Sequence, residues 1–229
     1  MRRLPLWLLP IALWAGYAAG AHIFTLTVIR RGPRGARSVA LTFDDGPDPL
    51  HTGKVLDLLE DAGARATFFV VGERAARASD LVRDMVARGH EVENHTWSHA
   101  NLWLCGPRRT EREIARAHEV IADLTGRPPR FFRPPWGLVN LAVFPTLRRL
   151  RTPCVLWSLQ PERLRPVAPE EMATRVVERA EPGAIVDLHD AEGVPGAPGR
   201  LLDALPPMLE GLRAGGYACV SLAELLSPA

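Results

Sequence analysis

An α/β fold built on a parallel sheet is the architecture this 229-residue sequence predicts, and three observations predict it. Short apolar, β-prone runs alternate with longer amphipathic ones from residue 38 to residue 226. Strict strand–helix alternation is what parallel strands joined by crossover helices leave in a sequence. Polar clusters recur directly after the strand runs, where α/β folds collect their chemistry.

In chain order, Ser38–Phe43 is the first strand, stopped by Asp44-Asp45-Gly46-Pro47. Thr52–Ala62 is a helix closed by Gly63, and Ala66–Val71 is the second strand. Glu73–Arg88 is a helix closed by Gly89, followed by the strand His90–Asn94. Arg108–Leu124 is a helix with Gly126 just beyond it, followed by the strand Arg130–Arg133. Next come the helix Asn140–Leu150, the strand Cys154–Ser158 and the helix Pro169–Ala180. The strand Ala184–His189, the helix Arg200–Ala214, the strand Tyr217–Val220 and the short helix Leu222–Leu226 complete the chain. Gly63, Gly89, Gly126 and Gly215 fall where a helix C-terminus needs a left-handed residue. Seven such units fit an open doubly wound sheet or a closed barrel, and either way the strand C-terminal ends carry the site.

Before this domain, Met1-Arg2-Arg3 precedes an uncharged apolar run from Leu4 to Ile29, long enough to span a bilayer as a helix. Trp7, Trp14 and Tyr17 are aromatics of the kind found at membrane interfaces. Ala19-Gly20-Ala21 resembles a signal-peptide cleavage site, but the apolar run continues past it to Val28 and Ile29, which favours a retained transmembrane anchor. The expected organisation is therefore an anchor or signal segment over 1–29, a Gly/Pro/Arg linker over 30–37 and one catalytic domain over 38–229. Arginines flank the run on both sides, so the positive-inside rule gives no clean orientation and slightly favours a cytoplasmic domain.

The formal net charge is +2, and residues 1–37 hold six arginines and no acid, so the remaining 22 basic and 26 acidic residues leave the globular part mildly acidic. That excludes a nucleic-acid footprint. Cys105, Cys154 and Cys219 are far apart and odd in number, with no CxxC spacing, which argues against a cysteine metal site and for buried thiols.

Four polar clusters end strands: Asp44-Asp45, His95-Thr96-Trp97-Ser98-His99, Arg133-Pro134-Pro135-Trp136-Gly137 and Leu188-His189-Asp190. Neighbouring strand residues point to opposite faces, so Asp44 and Asp45 are expected to take different roles. His95 and His99, four apart, can present both imidazoles in one direction, and two histidines with a carboxylate make a set for zinc or another divalent ion that leaves positions open. An HxxxH pair alone is as easily two surface histidines around a tryptophan; the carboxylate pair on another strand end is what strengthens it. A second carboxylate could act as general base, His189 as general acid and Arg133 as the group that orients the base, against the plainer readings of a structural ion pair and a satisfied core histidine.

TFDDGPD, HTWSH, RPPWG and IVDLHD, in this order and covering about residues 38–226, resemble the motifs of the polysaccharide deacetylase family, the NodB-homology domain. The resemblance implies a distorted (β/α) barrel of about seven strands that removes acetyl groups from polysaccharides with a divalent metal. Carried over motif by motif, Asp44 resembles the catalytic base, and Asp45, His95 and His99 the metal ligands. Arg133 resembles the residue that orients the base, and the Trp136 backbone N–H the oxyanion donor. Leu188 and His189 resemble the hydrophobic wall and the acid.

One motif departs. Where the family has Asp-x-x-Asp-Trp after the fifth strand, this chain reads Trp157-Ser158-Leu159-Gln160-Pro161-Glu162-Arg163, with Gln160 and Arg163 at the acid positions. Two carboxylates could replace the missing partner of His189: Glu162, one position off, and Asp187, two residues before His189 and so on the same strand face. Asp187 is the expected replacement. The reading is a membrane-anchored deacetylase, most simply zinc-dependent, acting on an N-acetylated cell-envelope glycan of the peptidoglycan or chitin kind; such a substrate overrides the slight arginine bias and puts the domain outside the cytoplasm. Its rivals are a deacylase of another amide or ester and an inactive glycan-binding homologue.

Overall fold

The structure, a computed structural model, describes residues 9–20, 28–162, 165–193 and 195–227. In chain order its elements are α1 (Leu9–Ala19), β1 (Ser38–Asp44), α2 (Thr52–Asp61), β2 (Thr67–Val70), α3 (Gly72–Arg77), α4 (Ser79–Ala87) and β3 (Glu91–Asn94). They continue with α5 (Pro107–Thr125), α6 (Val143–Leu150), α7 (Pro169–Arg179), β4 (Ile185–His189), α8 (Ala197–Ala214), β5 (Ala218–Cys219) and α9 (Leu222–Leu226). The sheet runs β3-β2-β1-β4 with β5 also on β1, and every one of these pairings is parallel. The expected α/β class with a parallel sheet is what forms.

Single bridges extend this sheet. Phe132 joins β3 through Asn94, Cys154 joins Phe132, Val155 pairs with Ile29, and Leu159 returns to β4 through Val186. The fourth and fifth expected strands therefore exist as isolated parallel bridges instead of ladders, which suits short segments bounded by prolines that cannot donate to a ladder. The expected helix over Glu73–Arg88 is two helices, interrupted at Ala78 (φ −121°, ψ 48°).

Alternation along the strands decides what fills the interior. On β1, Val39, Leu41 and Phe43 point to the main core under the helices, and the Phe43 ring stacks on Phe68 at 5.0 Å. Each such fully buried side chain contributes about 1.5–3 kcal/mol. The other parity of β1 is Ala40, Thr42 and Asp44, and that of β4 is Ile185, Asp187 and His189; β1 and β4 are in register, with Thr42 opposite Asp187 and Asp44 opposite His189. This inner face is apolar at one end, where Ala40, Phe69, Val155 and Ile185 pack, and increasingly polar toward the strand C-termini.

Of the segment 1–29, expected to form a membrane-spanning helix, the described residues do not show one. Among the described residues no helix is long and apolar enough to cross a membrane. The described part of that run is α1, 11 residues and so about 16 Å long against a hydrocarbon core of about 30 Å; residues 1–8 and 21–27 lie outside the described residues. The apolar residues that argued for a long span have a folded partner: Val28 packs on the second core cluster, and the Ile29 N–H donates to the Cys154 carbonyl at 3.0 Å. Gly32 N–H likewise donates to Gly183 O at 2.8 Å, so residues 29–32 run alongside the barrel. None of the three cysteines is in a disulfide; Cys105 and Cys154 are buried and Cys219 is half-buried.

Candidate active site

The strand C-termini open into a cleft of about 620 Å³ lined by Asp44, Asp45, His95, His99, Trp136 and His189, among others. Asp44 ends β1 facing inward. Asp45, expected on the opposite face, reaches the same cleft because its backbone turns into the left-handed region (φ 74°). Of the five non-glycine residues with such a φ among the described residues, four (Asp45, Thr96, His99 and Trp136) belong to the clusters at this cleft. That conformation is costly for side-chain-bearing residues, and it concentrates where surrounding structure imposes it at functional sites.

Asp45, His95 and His99 offer ligand atoms that all lie within 4.8 Å of one another. Asp45 Oδ1 is 2.8 Å from His99 Nε2 and 3.4 Å from His95 Nε2. His95 Nδ1 sits 2.8 Å from the Arg133 carbonyl oxygen, which can only accept, so that nitrogen carries the proton and Nε2 presents its lone pair to the cluster. Burial opposes ionisation of Asp45, but hydrogen bonds and charge from His95 and His99 outweigh it and hold its carboxyl far below the ordinary range. The donor set, two imidazole nitrogens and a carboxylate oxygen converging from two loops, fits a divalent ion with open positions.

Arg133 lies fully buried behind this cluster. Its Nη1 donates to Asp44 Oδ1 at 2.7 Å, to Thr42 Oγ1 at 2.8 Å and to Asp187 Oδ1 at 3.3 Å, and Nη2 reaches the Leu156 carbonyl at 3.4 Å. Its Cζ stands 4.1 Å over the Phe69 ring. Nη1 alone serves three acceptors, while Nε is buried without a hydrogen-bond partner among the described residues. The pairing expected between Arg133 and Asp44 is thus present, and Asp44 Oδ2 lies 3.9 Å from His95 Nε2.

Asp187 takes the inner face with His189 as the two-residue spacing requires, but its hydrogen bonds go elsewhere. Arg133 holds Oδ1, and Gln160 Nε2 donates to Oδ2 at 2.7 Å. No hydrogen bond joins Asp187 to His189 among the described residues; it acts on the histidine through space. Burial works against the charged form of His189, and the Asp187, Asp45, Asp44 and Glu162 carboxylates, in that order, raise its pKa regardless. Burial and the Asp44 charge push Asp187 itself up to about 7 against the pull of His189, Arg133 and Gln160. Glu162 is spent on Arg200 (2.6 Å) and on the Val167 N–H.

Trp136 stands at the cleft mouth, 55% exposed, its ring 4.4 Å from that of His99. Leu188 is not a wall of the cleft: its parity turns it into the main core beside Phe43, and Leu156 and Trp157 line the cleft instead. Asp48 of the first motif is structural, accepting from Leu50 and His51 N–H at the start of α2.

Two contributors escaped the sequence reading. Gly193 packs so tightly on Asp45 that a Cβ there would collide with its carboxylate; the Gly-rich loop 193–199 was the only signal. Arg74 Nη1 donates to the Asp45 carbonyl at 2.8 Å, with no sequence signal at all.

A polysaccharide deacetylase family model matches residues 31–155. A peptidoglycan-N-acetylglucosamine deacetylase of Bacillus cereus is 36% identical over 196 residues, covering 85% of this chain and 90% of that protein. A chitooligosaccharide deacetylase of Sinorhizobium fredii is 39% identical over 166 residues, 72% of this chain and 77% of that one. The crystal structure of a peptidoglycan N-acetylglucosamine deacetylase, in complex with 4-naphthalen-1-yl-N-oxidanyl-benzamide, superposes with a TM-score of 0.83 at 28% identity, over 92% of this chain and 97% of that one.

Proposed function

This chain belongs to the polysaccharide deacetylase family, and we propose that it is a divalent-metal-dependent hydrolase that removes acetyl groups from an N-acetylated cell-envelope glycan of the peptidoglycan or chitin kind. The observation that carries the metal-dependent reading is the Asp45–His95–His99 donor cluster, with a second, arginine-held carboxylate, Asp44, directly beside it. The named activities of the relatives support the substrate class.

Asp45, His95 and His99 would hold the ion, zinc by their chemistry, and once bound it supplies Lewis acidity toward an acetyl carbonyl and acidifies a water. Asp44, oriented by Arg133, takes the proton of the attacking water. The Trp136 backbone N–H is assigned to the oxygen on which negative charge develops. His189, whose protonated form the surrounding carboxylates favour against burial, gives its proton to the departing amine nitrogen as the amide C–N bond breaks. The products are acetate and a free amino sugar. Acting on such a substrate, the domain would work outside the cytoplasm.

The test is acetate release from peptidoglycan, chitin oligomers and acetylxylan by metal-reconstituted protein. Asp44→Asn should cost roughly 10²–10⁴-fold in turnover with metal content unchanged. Full activity after chelation, or release from none of these glycans, would overturn the proposal.

A further inference from the structure

Arg30 belongs to the segment read from sequence as a linker, yet it lines the catalytic cleft. The backbone around it is tied down: Ile29 N–H donates to Cys154 O at 3.0 Å and Leu156 N–H donates to Ile29 O at 2.8 Å. These bonds set Arg30 beside the Leu156–Trp157 wall. Its neighbour Arg31 is spent on Glu181 at 2.6 Å. Arg30 is exposed and makes no hydrogen bond or ion pair among the described residues, and it is the only arginine or lysine among those that line the cleft.

The rest of the lining contrasts with it. Asp44, Asp45, Asp187 and Glu192 are carboxylates, while Trp136 and Trp157 offer aromatic faces for sugar rings. A neutral N-acetylated oligosaccharide offers an unpaired guanidinium at the rim only hydroxyl and acetamido oxygens, with no charge to pair. A glycan bearing carboxylates does, because a guanidinium binds a carboxylate by paired charge-assisted hydrogen bonds, and the lining acids Asp44, Asp45 and Asp187 already have partners of their own.

We propose that Arg30 is a specificity-determining residue that selects N-acetylated glycans carrying a free carboxylate next to the reacting sugar, as the lactyl ether of muramic acid without a stem peptide supplies, over neutral N-acetylglucosamine oligomers. The inference rests on the deacetylase reading. It deepens that reading by choosing between its two glycan classes.

The experiment uses one oligosaccharide in two forms: alternating N-acetylglucosamine and N-acetylmuramic acid with free carboxylates, and the same chain with each carboxylate capped as a methyl amide. Binding is measured by titration calorimetry and turnover by acetate release, for the wild type, Arg30→Gln and Arg30→Lys. One charge-assisted contact at a solvent-accessible rim should make the wild type prefer the free acid by about tenfold in both readouts. Arg30→Gln should bring that ratio to about one, Arg30→Lys should keep part of it, and high salt should shrink it. A wild-type ratio near one, or an unchanged ratio in Arg30→Gln, overturns the proposal. Absence of turnover together with a binding preference that Arg30→Gln erases would sink the deacetylase reading and leave the carboxylate-binding role of Arg30 standing.

Discussion

Arg133→Ala should destabilise the domain severely, and the cost should grow with pH. The arginine is fully buried and serves two buried carboxylates at once, Asp44 at 2.7 Å and Asp187 at 3.3 Å. Removing one partner of a buried ion pair costs about 3–5 kcal/mol, because the other charge is left without compensation. In a domain of this size that corresponds to a fall in Tm of about 6–20 °C. The acids have one escape, which is to take up a proton. Asp187 already sits at about 7 with Arg133 in place, and without it should rise further. A carboxyl whose folded-state pKa lies above its unfolded value contributes stability at low pH that is lost as pH rises through the folded value. The variant should therefore lie nearest the wild type near pH 5 and furthest from it near pH 8. Urea unfolding of the metal-free proteins at both pH values measures this. A cost below about 1 kcal/mol, or one that does not change with pH, would refute the reasoning that Arg133 neutralises the two acids.

Glu93, buried on β3, is pushed up to about 8 by burial, which outweighs the Phe131 N–H it accepts and Arg127 at 3.8 Å. Its protonated form therefore stabilises the fold at low pH, and this contribution should be lost between about pH 4.5 and 8 in urea titrations and be absent in Glu93→Gln; stability that rises over this window through Glu93 would contradict it. Asp187→Asn should lower the basic-limb pKa and the kcat of deacetylation, since Asp187 leads the carboxylates that raise the pKa of His189, while Glu162→Gln should leave the pH–rate profile in place and cost stability through Arg200. Equal displacement of the basic limb in both variants would remove Asp187 from that role. A protein starting at Ser38 loses the Ile29–Cys154, Leu156–Ile29 and Gly32–Gly183 backbone bonds and should unfold about 2–4 kcal/mol more easily than one starting at Val28; coincident unfolding curves would show that this segment does not support the fold.

Much of the site was legible because strands have a period of two. Once Asp44 and His189 are set at the ends of strands, Thr42 and Asp187 follow onto the same face, and the ordered motifs name which acids and imidazoles meet. What the sequence could not carry is choice among partners far apart in the chain. Asp187 shares a strand face with His189, yet its hydrogen bonds go to Arg133, 54 residues away, and to Gln160, 27 away. Only the packing of the barrel interior decides that. The same is true of Asp45, which strand periodicity turns away from Asp44 and a left-handed backbone brings back. It holds again for Val28 and Ile29, whose apolar character reads equally well as membrane span or β-partner until Cys154 is placed beside Ile29. By itself the sequence determined the parallel α/β class, the order of the motifs and the chemical types of the site residues, because periodicity and motif spacing are local properties of the chain. The tertiary structure alone decided that Arg133 joins two acids, that Gly193 must be bare against Asp45 and that Arg30 reaches the cleft, because each depends on surfaces meeting across long stretches of sequence that leave no local trace.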